Sequence, residues 1–272
     1  MQAEWAVTGA VCATNHDLEA QEREQYASDG YFIRPRAFSA ADVARLTDAA
    51  EAAAACALAL SESGRSYLLD CKRFVDVGHV TVQFEAPPDD AAIKVIEPIC
   101  ELHPHLEALL DDPRIASPMR GLLGCDRIGM WTNKLNLKRP GVGSGFGWHQ
   151  DSPYWIHDCG HVDRLPNAML VLDDADADNG CFRVIRGSHT RGCLPGTADG
   201  SQLGGFYTDP STFELADEVA LEVPAGSLVF FHPHIVHGSL PNRSRRPRRA
   251  LVLTYQPADQ PTLKSRTLRN IR

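Results

Sequence analysis

The residues best suited to chemistry are His149 and Asp151, one residue apart in Gly147-Trp148-His149-Gln150-Asp151. In an extended strand, residues two apart project from one face, so this imidazole and carboxylate can reach one metal ion. A second histidine would complete a two-histidine, one-carboxylate facial triad, which leaves coordination positions open and suits iron(II). Three histidines compete for that place in His232-Pro233-His234-Ile235-Val236-His237, and spacing alone does not choose among them. Taken singly, His-x-Asp is a weak motif, and a lone histidine is more often a surface or hydrogen-bonded residue than a ligand.

Such a set needs a rigid frame. From residue 126 onward, short strand-like runs alternate with Gly, Pro and Asp-Asn turns: Ile128 to Leu137, Ala168 to Asp173, Cys181 to Ile185, Val219 to Val223, Ser227 to Phe231 and Arg249 to Tyr255. That pattern predicts a sandwich or jelly roll. Residues 17–123 read as mainly helical. A short helix over 21–27 gives way at Asp29-Gly30 to a strand at Tyr31-Phe32-Ile33, and a long Ala-rich helix starts at residue 40. There Ser39 and Asp42 form a capping-box pair flanked by Phe38 and Val43. A further helical stretch is expected over 91–123, broken near Pro113 and ended by Gly124, while 66–90 shows no clear pattern. The fold class expected is mainly β with flanking helices: a cupin-like double-stranded β-helix, core about 126–258, within one domain spanning 1–272.

Composition narrows the function classes. Hydrophobic residues at 43% and charged residues at 23% set disorder and coiled coil aside. A formal net charge of -8 argues against nucleic acid as the main ligand. The eight cysteines are scattered without a CxxC pair, which predicts neither a zinc knuckle nor a disulfide framework and favours a reducing, cytoplasmic setting. No apolar run approaches membrane-spanning length, and the segment Met1 to Ala13 lacks the basic start of a signal peptide.

Several further elements stand in a fixed order: Tyr26-x-x-Asp29-Gly30-Tyr31, then Trp148-His149-Gln150-Asp151, then Asn179-Gly180-Cys181 with Arg186-Gly187-Ser188-His189, then His237-Gly238-Ser239-x-x-Asn242-x-Ser244 followed by Arg248 and Tyr255. In this order they resemble the phytanoyl-CoA dioxygenase family of iron(II)- and 2-oxoglutarate-dependent oxygenases. The resemblance implies that His149, Asp151 and His237 hold the iron. It implies that Arg248 pairs with the distal carboxylate of 2-oxoglutarate, helped by Ser239, and that Lys94 and Gln150 lie close to the co-substrate. Arginine suits this task because its planar fork matches a carboxylate and stays charged. Arg249 is the alternative partner, since a one-residue slip in a strand exchanges its faces.

Other residues carry two readings. Lys134, Asn136 and Lys138 share one face of a strand; that face is solvent by default, or the barrel interior, where Asn136 could bind co-substrate or substrate. Phe146, Trp148, Tyr154 and Trp155 could line a pocket or simply pack. Arg243, Arg245 and Arg246 read as a solvated loop, and Lys264 to Arg272 as a mobile basic tail.

The resemblance implies oxygen transfer from dioxygen to a small-molecule substrate, with 2-oxoglutarate giving succinate and carbon dioxide. Halogenating relatives carry a small residue in place of the carboxylate, so retention of Asp151 implies hydroxylation, or a related desaturation or ring closure, rather than halogenation. Two rival readings are a cupin-like hydrolase or isomerase using the same ligands, and a non-catalytic binding protein on the same scaffold. Substrate-shaping loops are expected at 66–90, 154–166 and 190–217.

Overall fold

The computed structural model describes residues 16–272. The segment Met1 to Ala13, and Cys12 with it, therefore lie outside the described residues.

Two antiparallel sheets form the frame. The larger has nine strands, built on β1 (Tyr31–Arg34), β2 (Arg65–Leu69), β3 (Lys72–Val77), β4 (Val80–Phe84), β5 (Ile93–Glu97), β6 (Ile128–Lys138), β8 (Asn167–Val171), β11 (Leu228–Phe231) and β13 (Arg248–Pro257). Its spatial order is β1-β11-β8-β13-β6-β5-β4-β3-β2. The smaller sheet holds β7 (Phe146–His149), β9 (Phe182–Ile185), β10 (Glu218–Leu221) and β12 (His237–Ser239), in the order β10-β9-β12-β7. This is the expected jelly roll: strands adjacent in space are distant in sequence, and residues from both sheets meet in one apolar cluster that includes Val184, Leu221, Val229 and Val252.

Helix α1 (Ala20–Asp29) leads into β1, and further helices cover the outer face of the large sheet. The helix α2 (Ala40–Ser61) buries Ala49, Ala50, Ala53, Ala54 and Ala57 against it, small side chains that let helix and sheet approach closely. Its start is the predicted capping box, with Ser39 Oγ accepting from the Asp42 amide at 3.2 Å, a contact worth on the order of 1 kcal/mol. Further on, α3 (Pro104–Leu109) and α4 (Pro113–Leu123) follow, the latter opening on Pro113 and closing on Gly124 in the left-handed conformation, as the sequence indicated.

The N-terminal half is less helical than expected. Residues 91–123 begin with strand β5, not helix, and 65–84 fold into the antiparallel β2–β3–β4 meander that extends the large sheet past β5. The C-terminal segment is no mobile tail. The Ile271 amide donates to the Ile128 carbonyl at 2.9 Å, the Leu263 amide donates to the Trp131 carbonyl at 2.8 Å, and Arg269 pairs with Glu107 and Asp111, both at 2.8 Å. Arg269 is thus consumed by acidic partners on α3 and just after it, while Arg266 pairs with Asp158 at 2.6 Å and Lys264 donates to Thr81 Oγ1 at 3.1 Å.

Candidate metal and co-substrate site

Strands β7 and β12 bring the metal-ligating types together, because their register sets His149 directly opposite His237. Ligand atoms of His149, Asp151 and His237 all lie within 4.8 Å of one another, the one such group among the described residues. Each imidazole is fixed by its other nitrogen. His149 Nδ1 lies 2.7 Å from the Gly147 carbonyl and His237 Nδ1 lies 3.0 Å from the Ile235 carbonyl. A carbonyl can only accept, so Nδ1 carries the proton and Nε2 keeps its lone pair for a metal. Burial, together with the neighbouring His237, pushes His149 down to about 3; burial likewise lowers His237. Both rings are therefore neutral, as ligands must be.

Asp151 does not reach the site through strand alternation. Strand β7 ends at His149, and Asp151 follows in a helical backbone conformation at the start of a short helix, α5 (Ser152–Trp155), with its amide donating to the Pro233 carbonyl at 3.1 Å. Its carboxylate is held from two sides. Asn167 Nδ2 donates to Oδ2 at 3.0 Å, and Thr254 Oγ1 donates to Asn167 Oδ1 at 2.6 Å. Lys134 Nζ donates to Oδ1 at 3.2 Å. Burial alone would raise the Asp151 carboxyl, but the Lys134 ammonium outweighs it and holds the carboxyl below the usual carboxylate range.

These groups open into a cavity of about 560 Å³ between the sheets. Its far end is cationic. Arg248 is buried, donates from Nε and Nη2 to the Gly180 carbonyl at 3.1 and 2.8 Å, and has no ion pair among the described residues. Burial lowers it to about 10. That carbonyl is delivered by a glycine because a Cβ at Gly180 would lie 2.2 Å from the Leu240 carbonyl oxygen, at a φ of +76°. Lys94, also buried, donates to Ser144 Oγ at 2.6 Å and to the Gly145 carbonyl at 2.8 Å, and burial lowers it to about 8. Lys138 lies behind them, donating to the Leu240 carbonyl and lowered to about 6 by burial and by Arg248. The one buried acid nearby, Glu85, is bound to Ser144. Ser239 and Asn136 line the same cavity, and neither side chain has a hydrogen-bond partner among the described residues.

The three histidines left open by spacing separate cleanly. His234 is bound to Ser152 Oγ at 2.6 Å and to Asp163, while His232 stacks beside Tyr26 and His189; neither lines the cavity. Arg248 and Arg249 separate in the same way, since Arg249 faces outward and pairs with Asp173 at 2.5 Å and Glu51 at 2.9 Å. Gln150 requires a correction. Its amide nitrogen donates to the Gly192 carbonyl at 2.9 Å, its oxygen accepts from the Leu194 amide at 2.7 Å, and it points away from the cavity between two residues that point in. The Lys134-Asn136-Lys138 face proves to be interior, not solvent. Phe146, Tyr154 and Trp155 line the cavity, while Trp148 packs on Phe213 elsewhere. Ser188 supports the site from outside, accepting from the Val236 amide at 2.8 Å beside His237.

Some contributors escaped the sequence reading. Asn167 and Thr254 sit in apolar strands, where nothing marks them as supports for a carboxylate ten or more residues away. Glu97, Leu263 and Lys264 line the cavity although 91–123 and the C-terminus were expected to be helix and tail. Of the expected loops, 66–90 contributes as a meander, with Tyr67, Lys72 and Phe74, and 190–217 contributes Leu203, Phe206 and Tyr207.

Fold and site together define a jelly-roll protein with a two-histidine, one-carboxylate metal cluster and a buried cationic recess beside it. The chain belongs to the phytanoyl-CoA dioxygenase family, whose pattern matches residues 26–250. Among relatives, L-proline trans-4-hydroxylase of Streptomyces griseoviridis is 32% identical over 139 residues, covering 45% of this chain and 52% of that protein. Methylphosphonate hydroxylase of Gimesia maris is 30% identical over 172 residues, covering 63% of this chain and 62% of that protein. The chain thus spans roughly half to three-fifths of those relatives' length. The solved structure of EctD from S. alaskensis in its apoform superposes with a TM-score of 0.69 at 24% identity, covering 98% of this chain and 85% of that one, which supports the fold. No helix among the described residues is long and apolar enough to cross a membrane.

Proposed function

We propose that the protein is an iron(II)- and 2-oxoglutarate-dependent oxygenase that hydroxylates an aliphatic carbon of a small-molecule substrate. The observation that carries this reading is the pairing, in one cavity, of a His149–Asp151–His237 cluster whose imidazoles are neutral with a buried Arg248 that has no counter-ion among the described residues. A buried cation without a partner is costly, and a carboxylate ligand of fixed bite relieves that cost. A hydrolase or isomerase using the same three ligands would have no need of it. Family membership and relatives named as hydroxylases support the same reading.

The donor set fits iron(II): two imidazole nitrogens with free lone pairs and one carboxylate oxygen, with room left for exogenous ligands. When bound, the metal supplies the activation of dioxygen that no side chain can perform. The protein's own residues do the rest. Arg248 and Ser239 hold the distal carboxylate of 2-oxoglutarate, Lys94 adds a second positive charge, and Asn136 offers an amide toward the co-substrate. Asn167 and Thr254 keep the Asp151 carboxylate at one orientation, and Phe146, Tyr154 and Trp155 exclude water. We also place the chain in a reducing, cytoplasmic setting, supported by seven free cysteines among the described residues, and treat it as one catalytic unit.

The test is succinate formation from 2-oxoglutarate with iron(II) in air. The reading predicts succinate, in amounts that fall on chelation of the metal. Absence of succinate, together with no thermal stabilisation of the metal-loaded protein by 2-oxoglutarate, contradicts it.

A further inference from the structure

The cavity wall beside Asp151 carries a second set of charges that the metal and co-substrate do not use. Lys134 on β6 lies between Asp151 and Glu97 on β5, attracted by both. Next along, Thr81 on β4 stands opposite Glu97 in the strand register, and Lys264 from the C-terminal segment donates to Thr81 Oγ1 at 3.1 Å. The order Asp151, Lys134, Glu97, Lys264 therefore alternates in sign along one wall.

Among the described residues, two of these charges are left without an ion pair. Glu97 accepts only from Thr132 Oγ1, at 2.6 Å, and Lys264 has only the Thr81 hydroxyl. Each is held in place by a hydroxyl and lines the cavity, and Thr81 Oγ1 in turn donates to Asp76 Oδ1 at 2.8 Å. The C-terminal segment that carries Lys264 is itself anchored, since Arg266 pairs with Asp158 at 2.6 Å. The same cavity carries an aromatic surface: Tyr154 stacks on Phe206 with ring centroids 4.4 Å apart, and Trp155 lies under the Lys134 ammonium at 5.8 Å.

From this arrangement we infer that the substrate is an amino-acid-like zwitterion with an apolar body. Its ammonium group would meet Glu97, its carboxylate would meet Lys264, and its carbon framework would lie against Tyr154, Phe206 and Trp155, beside His149. A fixed anion on β5 and a cation held over the neighbouring β4 by Thr81 offer both partners that the ammonium and carboxylate of an α- or β-amino acid require. A singly charged ligand leaves one of the two wall charges desolvated and unmatched, which is how a polar site rejects the wrong molecule. Lys72 is a separate matter: its ammonium is bound to the Tyr207 hydroxyl at 2.9 Å and acts on Lys94, at the co-substrate end.

This inference rests on the proposed oxygenase reading, and one experiment keeps the two apart. The full-length chain is loaded anaerobically with manganese(II) and 2-oxoglutarate, and its melting temperature is followed with each of the twenty standard L-amino acids. Each is compared with its deaminated acid and its decarboxylated amine, for example L-phenylalanine, 3-phenylpropionate and 2-phenylethylamine. At least one apolar amino acid is expected to bind roughly ten- to a hundredfold more tightly than both counterparts. Glu97→Gln should abolish the advantage over the acid, and Lys264→Met the advantage over the amine, with the 2-oxoglutarate response intact in both variants. If the protein responds to 2-oxoglutarate but to no amino acid, or to an acid or amine as strongly as to the amino acid, the zwitterion inference is overturned while the oxygenase reading stands. If 2-oxoglutarate itself gives no response, the oxygenase reading fails first and the inference with it.

Discussion

The two ends of the cavity are built on opposite principles. At the metal end, the atoms behind the ligands are already satisfied: both Nδ1 nitrogens have carbonyl acceptors, and the Asp151 carboxylate is held by Asn167, itself held by Thr254. At the other end, Arg248 and Lys94 are buried with only neutral acceptors, and Ser239 and Asn136 have none. The first end is organised before anything binds; the second is an electrostatic deficit that an anion corrects. A metal needs fixed geometry, whereas a dicarboxylate needs charge, and the protein stores each requirement separately.

That contrast can be broken most strongly at Arg248. Arg248→Leu is expected to weaken 2-oxoglutarate by about 2 kcal/mol or more, some 30-fold, in calorimetric titration of the metal-loaded protein. The same substitution should raise the melting temperature of the apoprotein, because it removes a buried cation without a partner. Opposite signs for binding and stability are the signature of a charge kept for a ligand.

At the metal end the expected sign is uniform. Asn167→Ala removes the contact that orients Asp151 and should cost roughly 10- to 100-fold in metal affinity with 2-oxoglutarate recognition little changed. Its neighbour in sequence to Arg248 supplies the control. Arg249→Leu should leave 2-oxoglutarate affinity unaltered and lower stability on the order of 1–2 kcal/mol, since its pairs with Asp173 and Glu51 are only partly buried.

The smallest effect is a pH dependence confined to the cationic end. Burial lowers Lys94 from its ordinary 10.5 to about 8. Its folded-state value lies below the unfolded one, so its contribution to apoprotein stability is full above about 10.5 and is lost as pH falls through about 8. Dianion binding has the reverse sign, because it needs the protonated amine. Affinity for 2-oxoglutarate should therefore decline as pH rises from 7 to 9, and Lys94→Met should flatten that decline.

How much of this was legible in the sequence follows the same division. His149, Asp151, His237 and Arg248 could be singled out because their order matches a family pattern. Arg248 and Arg249 remained exchangeable until the β13 register fixed which one faces inward. The β2–β3 part of the meander was illegible because its burial is mostly partial, with β2 largely exposed, whereas β4 does alternate, burying Val80, Val82 and Phe84, but over too short a run to stand out. Gln150 was misplaced because proximity in sequence to two ligands says nothing about the face between them. Arg269 looked solvated because its partners, Glu107 and Asp111, are more than 150 residues away. Long-range pairing, not local pattern, decides those positions.

The central claim is that His149, Asp151 and His237 hold iron(II) while Arg248 presents 2-oxoglutarate to it. Anaerobic addition of iron(II) and 2-oxoglutarate, followed by visible absorption, tests it most directly, because a keto acid chelating iron(II) gives a charge-transfer band that neither component shows alone. The account predicts the band in the native protein, its loss in His237→Ala, and its appearance only at much higher 2-oxoglutarate in Arg248→Leu. No band in the native protein, or an undiminished band in His237→Ala, would contradict it.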